Sequence, residues 1–77
     1  MKGKYRFYIV KDGSSSRMYR KDTTSIPGRQ WSWTFKNWPN EGGFKGERKW
    51  FEITNLDLLI LDKLVEIDEA ECMLYMI

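Results

Sequence analysis

The amino-acid sequence predicts an α+β domain, in which a mainly antiparallel sheet of four to five strands carries one helix on one face. Several short segments alternate apolar and polar residues with a period of two, as half-buried strands do. Turn-forming residues separate these segments. A leucine-rich stretch over residues 56–67 follows helical spacing instead, and its broad apolar stripe needs a sheet face to cover. At 77 residues, the chain is expected to form a single domain, 1–77.

The first two strands are predicted to form a hairpin. Lys4–Lys11 is rich in aromatic and β-branched residues and ends at the Asp12-Gly13 turn, where glycine tolerates a positive φ. Arg17–Lys21 is a short, charged return strand with the character of an edge strand.

The third strand, Gln30–Lys36, has the clearest alternation and follows Pro27-Gly28, a pair that suits a type II turn. One side of this strand carries only aromatic rings, and we expect the helix to cover it together with the apolar side of the first strand. These two sets are Trp31, Trp33 and Phe35, and Tyr5, Phe7 and Ile9. Residues 37–47 form a long loop of the kind that often carries function. A fourth strand is predicted at Lys49–Thr54.

The C-terminal third is predicted to contain a helix and a last strand. Capping residues at 54–57 precede a helix over Leu56–Ile67, on which Leu59 falls among polar neighbours and should be partly exposed or covered by another surface. Residues 68–71 are a polar connector, and Cys72–Ile77 is apolar on both alternating sets, as in a strand covered on both faces. The predicted order is β-β-β-β-α-β, with a right-handed crossover if the last two strands are parallel. The alternative, one helix from Leu56 to the C-terminus, is disfavoured because the connector interrupts the apolar stripe.

The composition argues against an enzyme. The chain has no histidine and one cysteine, so it offers no histidine base for a nucleophile and no thiolate zinc site. Cys72, in an apolar segment, is expected to be a buried, inert thiol. The glycines of 42–46 lack phosphate-loop spacing, and the carboxylates of 68–71 lack that of a calcium loop. We therefore expect no catalytic residues, no metal and no cofactor.

The sequence also bears on where the protein works. No apolar stretch approaches the length of a membrane span, and no signal peptide is visible, so no membrane partner is expected. A single cysteine favours a reducing compartment, which predicts a cytoplasmic location.

Charge is distributed unevenly along the chain. Residues 1–50 hold 12 Lys and Arg against 4 Asp and Glu, a net charge of +8. Residues 51–77 hold 1 lysine against 7 carboxylates, a net charge of −6. Of the 12 aromatic residues, 11 precede residue 52. Such asymmetry is typical of a surface for an anionic partner, although the two parts could instead neutralise each other in the folded protein.

The cations and rings of the basic part are the candidate partner-binding residues, with Trp38 and the 37–47 loop as the preferred anchors. Tyrosine, tryptophan and arginine are enriched at protein–protein hot spots, and exposed rings beside cations also bind single-stranded nucleic acid. The predicted binding residues are Tyr8, Arg17, Tyr19, Arg20, Trp38, Phe44, Lys45, Arg48 and Trp50.

The segment KWFEITNLDLLILDKLVEI and the terminal CMLYMI resemble, in style, the strand–helix–strand ends of small accessory proteins carried by bacterial viruses and mobile elements. The resemblance covers residues 49–77 and transfers no individual residue. It implies a protein that occupies a working surface of a host protein, including host defence complexes, in the host cytoplasm. The basic N-terminal part differs from the acidic members that mimic nucleic acid.

The sequence therefore predicts a non-catalytic inhibitor or adaptor that binds a protein or a protein–nucleic-acid complex. The alternative is a domain that binds single-stranded RNA or DNA through the same basic and aromatic residues. A third possibility is a homodimer whose seam includes Leu59 and the last predicted strand.

Overall fold

The protein is described by a computed structural model that covers residues 4–37, 48–54 and 56–75. Five strands and two short helices follow one another in the described chain. They are β1 (Tyr5–Val10), β2 (Arg17–Asp22), β3 (Trp31–Phe35), β4 (Phe51–Ile53), α1 (Leu58–Leu61), β5 (Leu64–Ile67) and α2 (Glu69–Tyr75). The strands form one sheet in the order β4-β3-β2-β1-β5, in which every neighbouring pair is antiparallel. The predicted α+β class and mainly antiparallel sheet are confirmed.

The two predicted turns set the hairpin geometry. Gly13 and Gly28 have φ of 70° and 90°, values that glycine adopts without a steric penalty. The N–H of Arg29 donates to the oxygen of Ile26 at 3.1 Å, which closes a turn with Pro27 and Gly28 at its centre, as predicted for a type II turn. Asp12 accepts hydrogen bonds from the backbone and hydroxyl of Ser14 and thereby fixes the other turn.

The core lies between the sheet and α2. Cys72 is the one buried residue of α2, and it packs with Met18 of β2 and Ile67 of β5. Phe7 and Ile9 of β1 border this cluster. Because β2 is the central strand and has a neighbour on each side, it supplies both Met18 and Tyr19 to the buried set.

The register corrects the prediction of which rings share a face. Phe7 pairs with Arg20, and Arg20 pairs with Ser32, so the apolar side of β1 lies on the same face as Ser32 and Thr34. We call this the helix face, because α2 covers part of it. Thr34 is fully buried there. The rings of β3 lie on the other face, which we call the tryptophan face, and not beneath α2. Its side chains on β1–β4 are Arg6, Tyr8, Val10, Arg17, Tyr19, Lys21, Trp31, Trp33, Phe35, Phe51 and Ile53.

The C-terminal third also differs from the prediction. The predicted helix over residues 56–67 is only the single turn α1, and Leu64–Ile67 is instead the strand β5, which pairs with β1. Without β5, the outer backbone groups of β1 would lack the partners that strand pairing supplies. The predicted last strand is the helix α2, so neither that strand nor the long-helix alternative is observed. The right-handed crossover expected if the last two predicted strands were parallel is not formed, because residues 72–75 belong to α2.

Asp57 and Asp68 start the two helices. Asp57 caps α1 by accepting from the N–H of Leu59 at 2.9 Å. Asp68 accepts from the N–H of Glu71 at 2.7 Å, which satisfies one of the free donors at the start of α2. Leu59 is 69% exposed, in agreement with its predicted position among polar residues.

Candidate functional site

The tryptophan face presents rings and cations in adjacent strands. Alternation along β3 places Trp31, Trp33 and Phe35 in one row, and the register places Lys21 beside Trp31 and Arg17 beside Phe35. Tyr8 on β1 reaches over the central strand to Trp31, with 5.1 Å between ring centroids. The rows of neighbouring strands thus merge into one aromatic surface.

Edge and tilted ring contacts hold this surface together. The rings of Trp33 and Phe35 meet nearly at right angles at 4.9 Å, and those of Trp33 and Phe51 lie 4.8 Å apart. Such arrangements match the positive edge of one ring to the negative face of another. These rings are half-buried, so packing fixes their positions beneath the cations.

Two cations cover the tryptophan rings. The guanidinium of Arg17 lies 4.1 Å from the ring centroid of Trp33, and the ammonium of Lys21 lies 5.7 Å from that of Trp31. A cation over an indole face is attracted by the ring quadrupole, an interaction worth about 0.5–1 kcal/mol at exposed sites. Arg17 is exposed in the structure, so its charge remains accessible to a partner.

The acidic C-terminal part does not neutralise this face. Within residues 4–37, 48–54 and 56–75, the ion pairs are Lys4 with Asp22 at 3.8 Å and Arg6 with Glu66 at 3.5 Å. Only the second joins a cation of the tryptophan face to a carboxylate of the C-terminal part. Burial and the charge of Glu66 raise the pKa of Tyr8, so its phenol is neutral at physiological pH.

Four of the predicted binding residues have structural roles that sequence reasoning did not identify. Tyr19 is only 4% exposed and cannot present its ring to a partner. Arg20 and Trp50 lie on the helix face, where the guanidinium is 4.3 Å from the indole centroid. Arg48 donates to the backbone oxygens of Phe35 and Lys36 and so binds the end of β3.

The other predicted residues divide into two groups. Tyr8 and Arg17 lie on the tryptophan face, as the geometry above describes. Trp38, Phe44 and Lys45 lie outside the described residues, and so does most of the loop that contains them. Sequence reasoning assigned Trp31, Trp33 and Phe35 to the buried core and thereby missed the base of this face. The hairpin register could have shown that these rings lie on the other face, because it places tyrosines of β1 and β2 beside them.

Three further features of the described residues concern metal binding, the cysteine and the membrane. In the described part of the chain, no group of three or more Cys, Asp or Glu side chains is placed to hold a metal ion. Cys72 is buried, as predicted, and burial raises the pKa of its thiol to about 11. Neither described helix has the length and apolar character that a bilayer span requires.

Comparison of the chain with protein-family models, with curated proteins and with solved structures found no match. Function must therefore be argued from the site itself.

Proposed function

We propose that the protein is a non-catalytic binding protein that occupies a surface of another protein or of a protein–nucleic-acid complex, as an inhibitor or adaptor. The observation that carries the proposal is the exposed guanidinium of Arg17 stacked on Trp33. Arginine and tryptophan are the residue types that dominate interface energetics, and here the ring holds the cation in place before any partner arrives. Lys21 on Trp31 repeats the arrangement along the same strand pair.

The style of residues 49–77 supports a source in a bacterial virus or mobile element, which would make the partner a host protein in the host cytoplasm. A host defence complex is one such partner. This part of the proposal rests on the resemblance alone.

The test is a quantitative pull-down from native cell extract with nuclease treatment, comparing two double variants that remove the same charge. Arg17→Gln with Lys21→Gln changes the tryptophan face, whereas Lys11→Gln with Arg29→Gln removes two exposed cations outside the paired strands. The first variant should lose the captured partner, and the second should retain it. Equal capture by both variants would contradict the assignment of this face.

The second candidate function is binding of single-stranded RNA or DNA by the same face. It is favoured by the alternation of rings and cations on neighbouring strands, because bases stack on rings while cations follow the phosphates. It predicts that affinity for mixed-sequence oligonucleotides falls steeply as salt rises. Fluorescence polarisation that shows no binding at low salt would eliminate it.

A further inference from the structure

We propose that the segment from Asp68 to Tyr75 is a second interaction surface, which docks an apolar, positively charged segment of a partner protein. α2 packs on the helix face, so this surface does not depend on the tryptophan face or on the function proposed for it.

The first observation is an exposed apolar patch that the fold keeps facing outward. Met73 is 56% exposed, Leu74 is 71% exposed and Tyr75 is 38% exposed. Cys72 is the one side chain that anchors α2 in the core, at 1% exposure. Neighbouring helical residues point about 100° apart, so burial of Cys72 holds Met73 and Leu74 away from the sheet. Val65, on the helix face of the edge strand β5, is also exposed, at 39%.

The second observation is the charge around this patch. Residues 68–75 contain three carboxylates and no lysine or arginine. All three are exposed, and they are Asp68, Glu69 and Glu71. The ammonium of Lys36 lies 5.5 Å from the ring centroid of Tyr75 and marks one border of the patch.

The charge around the apolar patch indicates which kind of partner binds it. Exposed apolar side chains among carboxylates match a segment that carries leucine-type residues between lysines or arginines, since complementary potentials steer association and reject like-charged partners. A second copy docking through the same patch would bring six carboxylates together across a two-fold axis, given the three in each copy. A basic, apolar segment of another protein therefore fits better than a homodimer.

The experiment uses a fluorescein-labelled peptide of leucine and lysine arranged as an amphipathic helix, with fluorescence anisotropy as the readout. Its counterpart carries glutamate at every lysine position. We expect the lysine peptide to bind and the glutamate peptide not to bind. The Met73→Ser, Leu74→Ser variant should weaken binding at least about tenfold, because it removes the two most exposed apolar side chains of α2.

Two matched controls locate the effect. Leu58→Ser with Leu59→Ser alters another exposed pair, 75% and 69% exposed on α1, and should leave peptide binding unchanged. Arg17→Gln with Lys21→Gln should also leave it unchanged, which separates this surface from the tryptophan face. Should the Met73, Leu74 variant fail to fold, Glu69→Gln with Glu71→Gln provides the same test through charge and should weaken binding.

Three results would overturn the proposal. One is equal binding of the lysine and glutamate peptides. Another is an equal loss of binding in the α1 control. The third is a dimer, seen by light scattering of the wild-type protein, that the Met73→Ser, Leu74→Ser variant dissociates, because the occupant would then be a second copy.

Discussion

Arg20 is stacked between two aromatic rings, although it belongs to the basic segment that the sequence marks for binding. Its guanidinium lies 4.0 Å from the ring centroid of Tyr5 and 4.3 Å from that of Trp50. Its Nε is buried, and no hydrogen-bond partner is present in the described part of the chain. Arg17, on the opposite face, stacks on one ring and is exposed. The same residue type thus stabilises the fold at one position and faces solvent at the other.

We expect Arg20→Lys to lower the free energy of unfolding by about 1–2 kcal/mol, because an ammonium cannot stack its plane between two rings. Arg17→Lys is the matched control, and its effect should stay within about 0.5 kcal/mol. Urea denaturation of both variants measures the difference. Equal effects would contradict the assignment of Arg20 to the fold.

Cys72 gives the stability a dependence on alkaline pH. Burial raises the pKa of its thiol from about 9 to about 11 in the folded protein. The unfolded state therefore loses its proton first as the pH rises. The contribution of this group to stability is fully present below about pH 9 and is lost as the pH approaches 11.

Between these limits, the free energy of unfolding should fall more steeply with pH in the wild-type protein than in Cys72→Ala. The difference in slope should approach about 1.4 kcal/mol per pH unit at most. Denaturation at a series of pH values measures it, and the alanine variant carries the titration of every other group as its control. Parallel pH profiles would show that the thiol is not buried as described.

At the scale of the elements, the sequence predicts the first four strands well and the last third poorly. Turn residues and strict alternation locate β1 to β4, since these signals are local. The stretch Leu64–Ile67 fits both the helical stripe and a strand, and pairing with β1, a contact distant in sequence, decides between them. The hydrophobic periodicity of this stretch alone therefore cannot decide between a helix and a strand.

Asp68 shows a local signal that pointed the right way. An aspartate followed three residues later by Glu71 matches the pattern of a helix N-terminus, and the structure forms the corresponding bond to the backbone. The sequence nevertheless predicts a connector here, because the apolar residues after the acidic stretch suit a strand as well as a helix. The residue types of the tryptophan face, rings and cations, could be predicted from the sequence. Which side of the sheet carries them depends on the hairpin register.

Asp68→Ala should lower the free energy of unfolding by about 1 kcal/mol, because it removes the acceptor for the N–H of Glu71 at the start of α2. Asp68→Asn is the control, since its side-chain oxygen can still accept that bond. Urea denaturation compares the two variants. A loss of the same size in the asparagine variant would assign the effect to charge and not to the cap.

At the scale of the whole molecule, the difference in charge between the two parts of the sequence becomes a difference in charge between the two sides of the sheet. The tryptophan face carries cations on rings, and α2 on the other side carries carboxylates around exposed apolar residues. The two parts of the chain share one core but keep separate charged surfaces, joined in the described residues by the ion pair between Arg6 and Glu66. This arrangement suits an adaptor that contacts partners of opposite charge.

The charge of the whole tryptophan face should make partner binding depend on salt concentration. Exposed cations that meet an anionic protein surface act mainly on the association rate, and salt screens them over about 8–10 Å. We expect the association rate of a captured partner to fall as ionic strength rises, and Arg17→Gln with Lys21→Gln to reduce that dependence. Surface plasmon resonance at several salt concentrations measures both, and a slope unchanged by the substitutions would contradict the use of these cations.

The central claim is that the cations stacked on Trp31 and Trp33 form the binding surface. The most direct test is the nuclease-treated pull-down that compares Arg17→Gln, Lys21→Gln with the charge-matched Lys11→Gln, Arg29→Gln, after circular dichroism shows that both variants fold. We predict that the first variant loses the captured partner and that the second retains it at the wild-type level. Retention of the partner by both variants, or loss of it by both, would contradict the claim.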